Sequence, residues 1–397
     1  VANGALKAAR LALRHVEGIG AQVAFGAPSL LASLVLARWS ALVLVSDLTV
    51  AFGLASALST AAWFNLAHAL ALWGLREERE EDFWCNRIVF SLAAATLTVG
   101  LLLTLGIAWR IVLLAVFVKL ADAAADLRLG LDLLRETSDR AMRRLLGWSL
   151  FRLAAFAGPA ALALAAGWEG SRALLLGAGV QLAATLVGHP VPLAAVTRGR
   201  LTVAMRLARR TAHFSVAATA SGLLVTAPRL VSRALGTGDE LGFYAVAFVA
   251  STFIGMAFNV VWYRLASATR RDGPLAALQS FAREGTVLAL LMAGGLWLVA
   301  PVVAWTYGID DPRFIRIFTL IGCAFVLLSL VQCAANLLKL SQARFLETAA
   351  YASAAVTLVA VALTTGRLVL GMVAAGVAMA AVVTVGVQEV RRAAVAR

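Results

Sequence analysis

The chain has 397 residues, of which 61% are hydrophobic and 14% charged, and its mean hydropathy is +0.87. No water-soluble protein of this length hides so much apolar surface. The net charge of +14 sits in short stretches between apolar runs, so it reads as topology information; no soluble basic domain is present to bind nucleic acid.

In chain order, residues 1–17 place Leu6, Ala9, Leu13 and Val16 on one helical face and Lys7, Arg10 and Arg14 mostly on another. That predicts a short helix lying on the membrane surface. The apolar run from about Gly18 is followed by many more, so it is a membrane span and not a cleaved signal. A span needs roughly 20 apolar residues. Twelve stretches qualify: 18–37, 42–73, 87–106, 109–127, 145–166, 172–192, 212–232, 241–262, 285–306, 314–336, 345–365 and 368–388. The second is overlong and is expected to tilt or run out along the surface. The basic stretch 197–211 divides them six and six, into an N-lobe at 18–196 and a C-lobe at 212–397. "LLVTAPRLVSRALGT" in the second half echoes "LLASLVLARWSALVL" in the first. The expected fold is therefore an all-α polytopic membrane protein of two six-helix bundles, with a path between lobes.

Of the 35 Lys and Arg residues, 25 fall in segments on the N-terminal side of this topology and eight on the other; Lys119 and Arg152 lie within spans. This split places both termini in the cytoplasm. All loops are short, which argues against an enzyme with a soluble catalytic module. Cys85, Cys323 and Cys333 have no disulfide or metal spacing and read as small apolar filler.

Several stretches resemble the MOP exporter superfamily, and within it the Wzx-type oligosaccharide-lipid flippases of polysaccharide biosynthesis. Residues 228–250, "PRLVSRALGTGDELGFYAVAFVA", are similar to the family's external turn between helices seven and eight. Residues 304–320, "AWTYGIDDPRFIRIFTL", resemble its Tyr-Gly turn before helix ten, and 334–346, "AANLLKLSQARFL", its cytoplasmic turn before helix eleven. "GMVAAGVAMAAVVTVGVQEVRR" resembles its final helix, and "SLLASLVLARWSALVLVSDLTVAFGLA" its first two, with an apolar stretch in place of the usual acidic turn. The resemblance implies a MATE-like fold in the bacterial cytoplasmic (inner) membrane. It implies alternating-access transport of a polyprenyl-diphosphate-linked oligosaccharide to the outer leaflet, without enzymatic chemistry or cofactor. Membrane lipid, a coupling H+ or Na+, and other polysaccharide-assembly proteins are the expected partners. The alternatives are a MATE-type exporter of another lipid or small amphiphile, and a scaffold or enzyme of envelope-polysaccharide assembly.

A glycan and a diphosphate both need a wet, cationic passage, and charges inside spans are costly enough to be functional candidates. Lys119 and Arg152 are candidate diphosphate contacts. The competing readings are an ion pair of Lys119 with Asp122 and Asp126 on its own helix, and snorkelling of Arg152. Arg38, Arg229 and Arg233 are candidates for an external anion site or for interface anchoring, and Arg264 for meeting the entering diphosphate or marking topology. Asp47 is the coupling candidate, with pairing to Arg38 or a neighbouring helix as the alternative. Gln22, Asn65, His68, Gln181, Asn259, Gln332 and Asn336 are placed to hydrogen-bond sugar hydroxyls or to join helices. Trp63, Trp73, Trp84, Trp262 and Trp305 read as an interfacial belt. Asp122, Asp126 and Asp132 lack the paired, tighter spacing of a metal-diphosphate motif, and His68 and His189 have no metal partners.

Overall fold

The computed structural model describes residues 2–62, 79–135, 138–188, 196, 198–236, 239–272, 274–338 and 344–395. All regular structure in them is helical. The helices are α1 (Ala2–Trp39), α2 (Leu42–Ala62), α3 (Glu80–Thr104), α4 (Trp109–Arg135), α5 (Ser138–Ala165) and α6 (Gly170–Gly188), then α7 (Arg198–Leu235), α8 (Asp239–Asp272), α9 (Pro274–Tyr307), α10 (Pro312–Leu338), α11 (Arg344–Thr365) and α12 (Leu368–Val395). The stretch 1–17 continues into the first span without a break. The last third of the overlong second span, 63–73, lies outside the described residues.

Among the described residues, ten helices are long and apolar enough to cross a membrane, and α7 joins them if its two parts, 200–212 and 215–235, bent by 66°, count as one span. The sequence count of twelve also includes α4. That helix carries too many charges to qualify on apolarity, and its place in the fold supplies the reason: it packs against α3, α5 and α6 and turns its charges inward. The chain is a multi-pass membrane protein whose exterior is apolar. On α9, Leu290, Leu291, Trp297, Leu298 and Trp305 are each at least 68% exposed, a face that only lipid solvates at low cost.

By packing, the chain divides into two units: 1–40 with 51–222, and 41–50 with 223–397. The first half of α7 belongs to the first unit for definite reasons. Leu207 joins Phe83, Trp84, Ala124, Leu127 and Leu131 in one apolar cluster. Asn86 Nδ2 donates to the Ala204 carbonyl at 2.9 Å, and Arg200 reaches Glu81 at 3.2 Å. Trp84 is thus a core residue and not part of an interfacial belt.

The two units repeat one plan. In unit 1, α3 packs on α4, α4 on α5 and α6, and α5 on α6; in unit 2 the same pairs recur among α9, α10, α11 and α12. The turns repeat too. Gly106 and Gly308, between α3–α4 and α9–α10, have φ of 73° and 70°; Gly167 and Gly366, between α5–α6 and α11–α12, have 80° and 64°. Glycine is the residue that reaches this region without strain. Ile107 N–H donates to the Leu102 carbonyl, and Ile309 N–H to the Ala304 carbonyl, the same helix-ending motif in each half. Both units also press a glycine against a neighbouring backbone. A Cβ on Gly177 of α6 would lie 2.4 Å from the Phe156 carbonyl oxygen of α5, and one on Gly371 of α12 would lie 2.7 Å from that of Leu358 in α11. Small residues at such contacts are how membrane helices gain dispersion energy.

Candidate functional site

The polar interior of unit 1 is built on α4. Asp122 takes a cation on each carboxylate oxygen: Arg152 Nη2 of α5 at 2.6 Å and Lys119 Nζ at 3.0 Å. The Arg152 guanidinium also lies 5.0 Å over the Phe25 ring of α1, and Lys119 Nζ lies 5.9 Å from the Phe52 ring of α2. One turn on, Asp126 pairs with Arg87 of α3 at 2.9 Å. Near the helix end Asp132 pairs with Arg128 at 3.2 Å and Arg144 at 3.6 Å. Among the described residues, three cations face two carboxylates around Asp122 and Asp126. Arg152 is only 2% exposed, and its Nε and Nη1 find no hydrogen-bond acceptor among the described residues.

Unit 2 differs at the corresponding place. When the turns before α4 and α10 are matched through Arg110 and Arg313, buried Ile111, Val118 and Ala121 fall on buried Phe314, Ile321 and Ala324. In that register Asp122 falls on Phe325, and Asp126 on Ser329. The ion pairs are replaced by open space: a cavity of about 230 Å³ between α7, α8 and α10, with Phe325 and Ser329 in its wall. Its polar lining is Ser251, Thr252, Ser329, Gln332, Cys333 and Asn336, with no charged side chain among the described residues. Arg229 of α7 stands beside it, donating from Nη2 to Thr252 Oγ1 at 3.3 Å. Arg229 is buried and has no carboxylate partner among the described residues. From the other side, Tyr351 OH of α11 donates to Asn336 Oδ1 at 2.9 Å and to the Gln332 carbonyl at 3.3 Å. That leaves the Asn336 amide N–H groups available to an acceptor in the cavity. At about 30 Å³ per water, the space holds about eight waters, so it suits one charged or hydroxylated group and not a whole glycan.

The structure brings together some of the expected residues and separates others. Lys119 and Arg152 meet at Asp122, but Asp126 turns to Arg87 instead of Lys119. Gln332, Asn336 and Arg229 gather at the unit 2 cavity. Asp47 pairs with Arg233 of α7, on a neighbouring helix, at 3.0 Å; Arg38 is exposed at the end of α1. Gln22 is buried on α1, and Gln181 is fully buried on α6. The side chains of Asn259 and Arg264 lie outside the described residues, as do Trp63, Asn65, His68, Trp73, His189 and Trp262. A third span counted from residue 87 makes Arg87 a loop cation. The helix begins seven residues earlier, at an acidic first turn in which Asp82 accepts the Arg79 N–H at 2.8 Å. Glu80, Glu81 and Asp82 are the helix-start signal that would have placed Arg87 inside.

No family model and no curated sequence matches the chain. Solved structures do. A multidrug-resistance MATE family transporter of the MOP superfamily, in its outward-facing conformation, aligns over 97% of this chain and 95% of its own, with TM-score 0.56 and 13% identity. A MATE structure in complex with MaD5 aligns over 96% and 95%, with TM-score 0.60 and 10% identity. A MOP superfamily transporter from Pyrococcus furiosus, described as having a binding pocket of reverse polarity, aligns over 97% and 94%, with TM-score 0.56 and 11% identity. The fold is that of the MATE-like transporters of the MOP superfamily, and the structures it resembles are of transporters, not enzymes.

Proposed function

We propose that the chain is an alternating-access membrane exporter whose cargo is a polyprenyl-diphosphate-linked oligosaccharide, carried from the cytoplasmic to the outer leaflet. The fold supports the transport part, since similar structures exist in outward-facing and inward-facing forms. The observation that carries the cargo class is the unit 2 cavity: hydroxyl and amide groups line it, no carboxylate does among the described residues, and buried Arg229 stands beside it, bonded to Thr252 of its lining. A cationic amphiphile calls for the opposite charge. A diphosphate or sugar phosphate suits the guanidinium, and the lining matches glycan hydroxyls. Asp47 remains the coupling candidate; a proton or Na+ bound there would have to release Arg233.

The test is transport by purified protein in liposomes, followed as the appearance of a short-chain polyprenyl-diphosphate glycan to a lectin on the opposite face. The wild type moves it, and an imposed H+ or Na+ gradient changes the rate if transport is coupled. R229Q lowers the rate about 10- to 100-fold, the loss expected for one charge-assisted contact, and R229K recovers part of it. Absence of transport under every gradient would overturn the proposal. A full rate in R229Q would remove the cavity from the pathway.

A further inference from the structure

The outer face of unit 1 carries a second concavity, away from the polar interior. α6 exposes a single stripe at Arg172, Leu175, Leu176, Gly179, Val180 and Ala183, spaced i, i+3, i+4, i+7, i+8 and i+11, so these residues lie along one side of the helix. With Trp109, Arg110 and Trp168 the stripe walls an open groove of about 530 Å³. The opposite side of α6, with Ala173, Leu174, Gly177 and Ala178, is buried. Nothing in the fold fills the groove at its middle: a Cβ placed on Gly179 would meet no atom within 4 Å.

One end of the groove is cationic and aromatic, and the rest is apolar. Arg110 Nη1 donates to Glu169 Oε2 at 2.7 Å, and Arg172 Nε lies 3.6 Å from the same oxygen. Two guanidinium groups thus share one carboxylate and leave an excess positive charge. Glu169 itself stays ionised, because hydrogen bonds from Ser171 and Arg110 and the nearby charges of Arg110 and Arg172 outweigh its slight desolvation and hold its carboxyl below the ordinary range. Trp109 and Trp168 are both half-exposed and flank the pair, the arrangement seen where helices meet a headgroup layer. From Arg172 to Ala183 the helix rises about 16 Å, close to the roughly 15 Å of one leaflet's hydrocarbon. The groove therefore has the charge of a headgroup site at its mouth and the length of an acyl chain below it.

We propose that this groove is a binding site for one anionic phospholipid of the leaflet at the α3–α4 and α5–α6 turns. Arg110 and Arg172 hold its phosphate, and one acyl chain lies along α6 over Gly179. The proposal does not depend on the cargo proposed above.

Native mass spectrometry of the purified protein, titrated with phosphatidylglycerol, phosphatidylcholine or a polyprenyl phosphate, tests it. The wild type retains phosphatidylglycerol about five-fold more than phosphatidylcholine, the ratio that one net basic residue near a headgroup plane gives. R110Q/R172Q abolishes the preference. G179L, which fills the groove and leaves both arginines, lowers retention of phosphatidylglycerol, while unchanged thermal stability shows that the variant is folded. Equal retention of the two phospholipids by the wild type, or a preference that survives both variants, overturns the site. A polyprenyl phosphate that displaces phosphatidylglycerol at equal concentration overturns the assignment to phospholipid.

Discussion

Removing Asp122 tests the ionic interior of unit 1. Its carboxylate lies 2.6 Å from Arg152 Nη2 and 3.0 Å from Lys119 Nζ, and Arg152 has no route to solvent at 2% exposure. With charge centres about 4 Å apart and an effective dielectric of about 20, each pair is worth about 4 kcal/mol. Breaking such a pair from one side leaves a buried cation and costs about 3–5 kcal/mol. D122L should therefore lower the unfolding temperature in detergent strongly, read by tryptophan fluorescence together with size-exclusion profile. D122L/R152L removes both members and replaces them with apolar volume, so it should regain more than half of the loss, since a buried pair is worth little relative to a hydrophobic replacement. D122L as stable as the wild type would refute the reasoning. So would a double variant no more stable than D122L, because the cost would then come from packing and not from an orphaned charge.

Four further outcomes follow from the same geometry. G177V puts side-chain atoms onto the Phe156 carbonyl, whose oxygen is 2.4 Å from the nearest possible Cβ; it should unfold or misassemble the α5–α6 pair, read as loss of monodisperse protein, whereas G179A should not. G106A and G308A each force a left-handed φ on alanine and should cost about 1 kcal/mol, measured by thermal or denaturant unfolding, while G100A, in a helix with open space around it, should be neutral or slightly stabilising. The depressed Glu169 carboxyl gives stability that is complete above its unfolded value of about 4.5 and is lost as pH falls through its lower folded value; E169Q should remove that acid-side slope from unfolding followed between pH 6 and 3. D47N should weaken the hold on Arg233 and, if Asp47 couples transport, abolish stimulation by a gradient while leaving downhill movement, as read in the liposome assay.

The sequence by itself determined the class of molecule. Apolar runs of span length and short basic loops leave a bilayer as the only solvent that fits, and the hydropathy pattern located every described helix to within a turn or two at most ends. Turn chemistry was legible as well: Gly106, Gly167, Gly308 and Gly366 stand where helices stop, because only glycine enters the left-handed region freely. Which arginines count was decided by tertiary structure. Arg87 and Arg152 are alike in sequence, each a cation near one end of an apolar run, and both turn out to be buried against aspartates of α4. Arg229 and Arg233 are one helical turn apart, yet one meets Asp47 and the other stands by a cavity, bonded among the described residues to a threonine hydroxyl. Asp122 is a partner of Lys119, as its place one turn along the helix suggests, but Asp126 goes to Arg87 and Asp122 also takes Arg152, because neighbours along a helix are the only contacts a sequence displays and the adjoining helices supplied the rest. Periodicity fixes which face of a helix is polar, but the charge, space and partner opposite that face belong to other helices. The difference between the ion-paired interior of unit 1 and the open cavity of unit 2 therefore appeared only when α4 and α10 were seen packed among their neighbours.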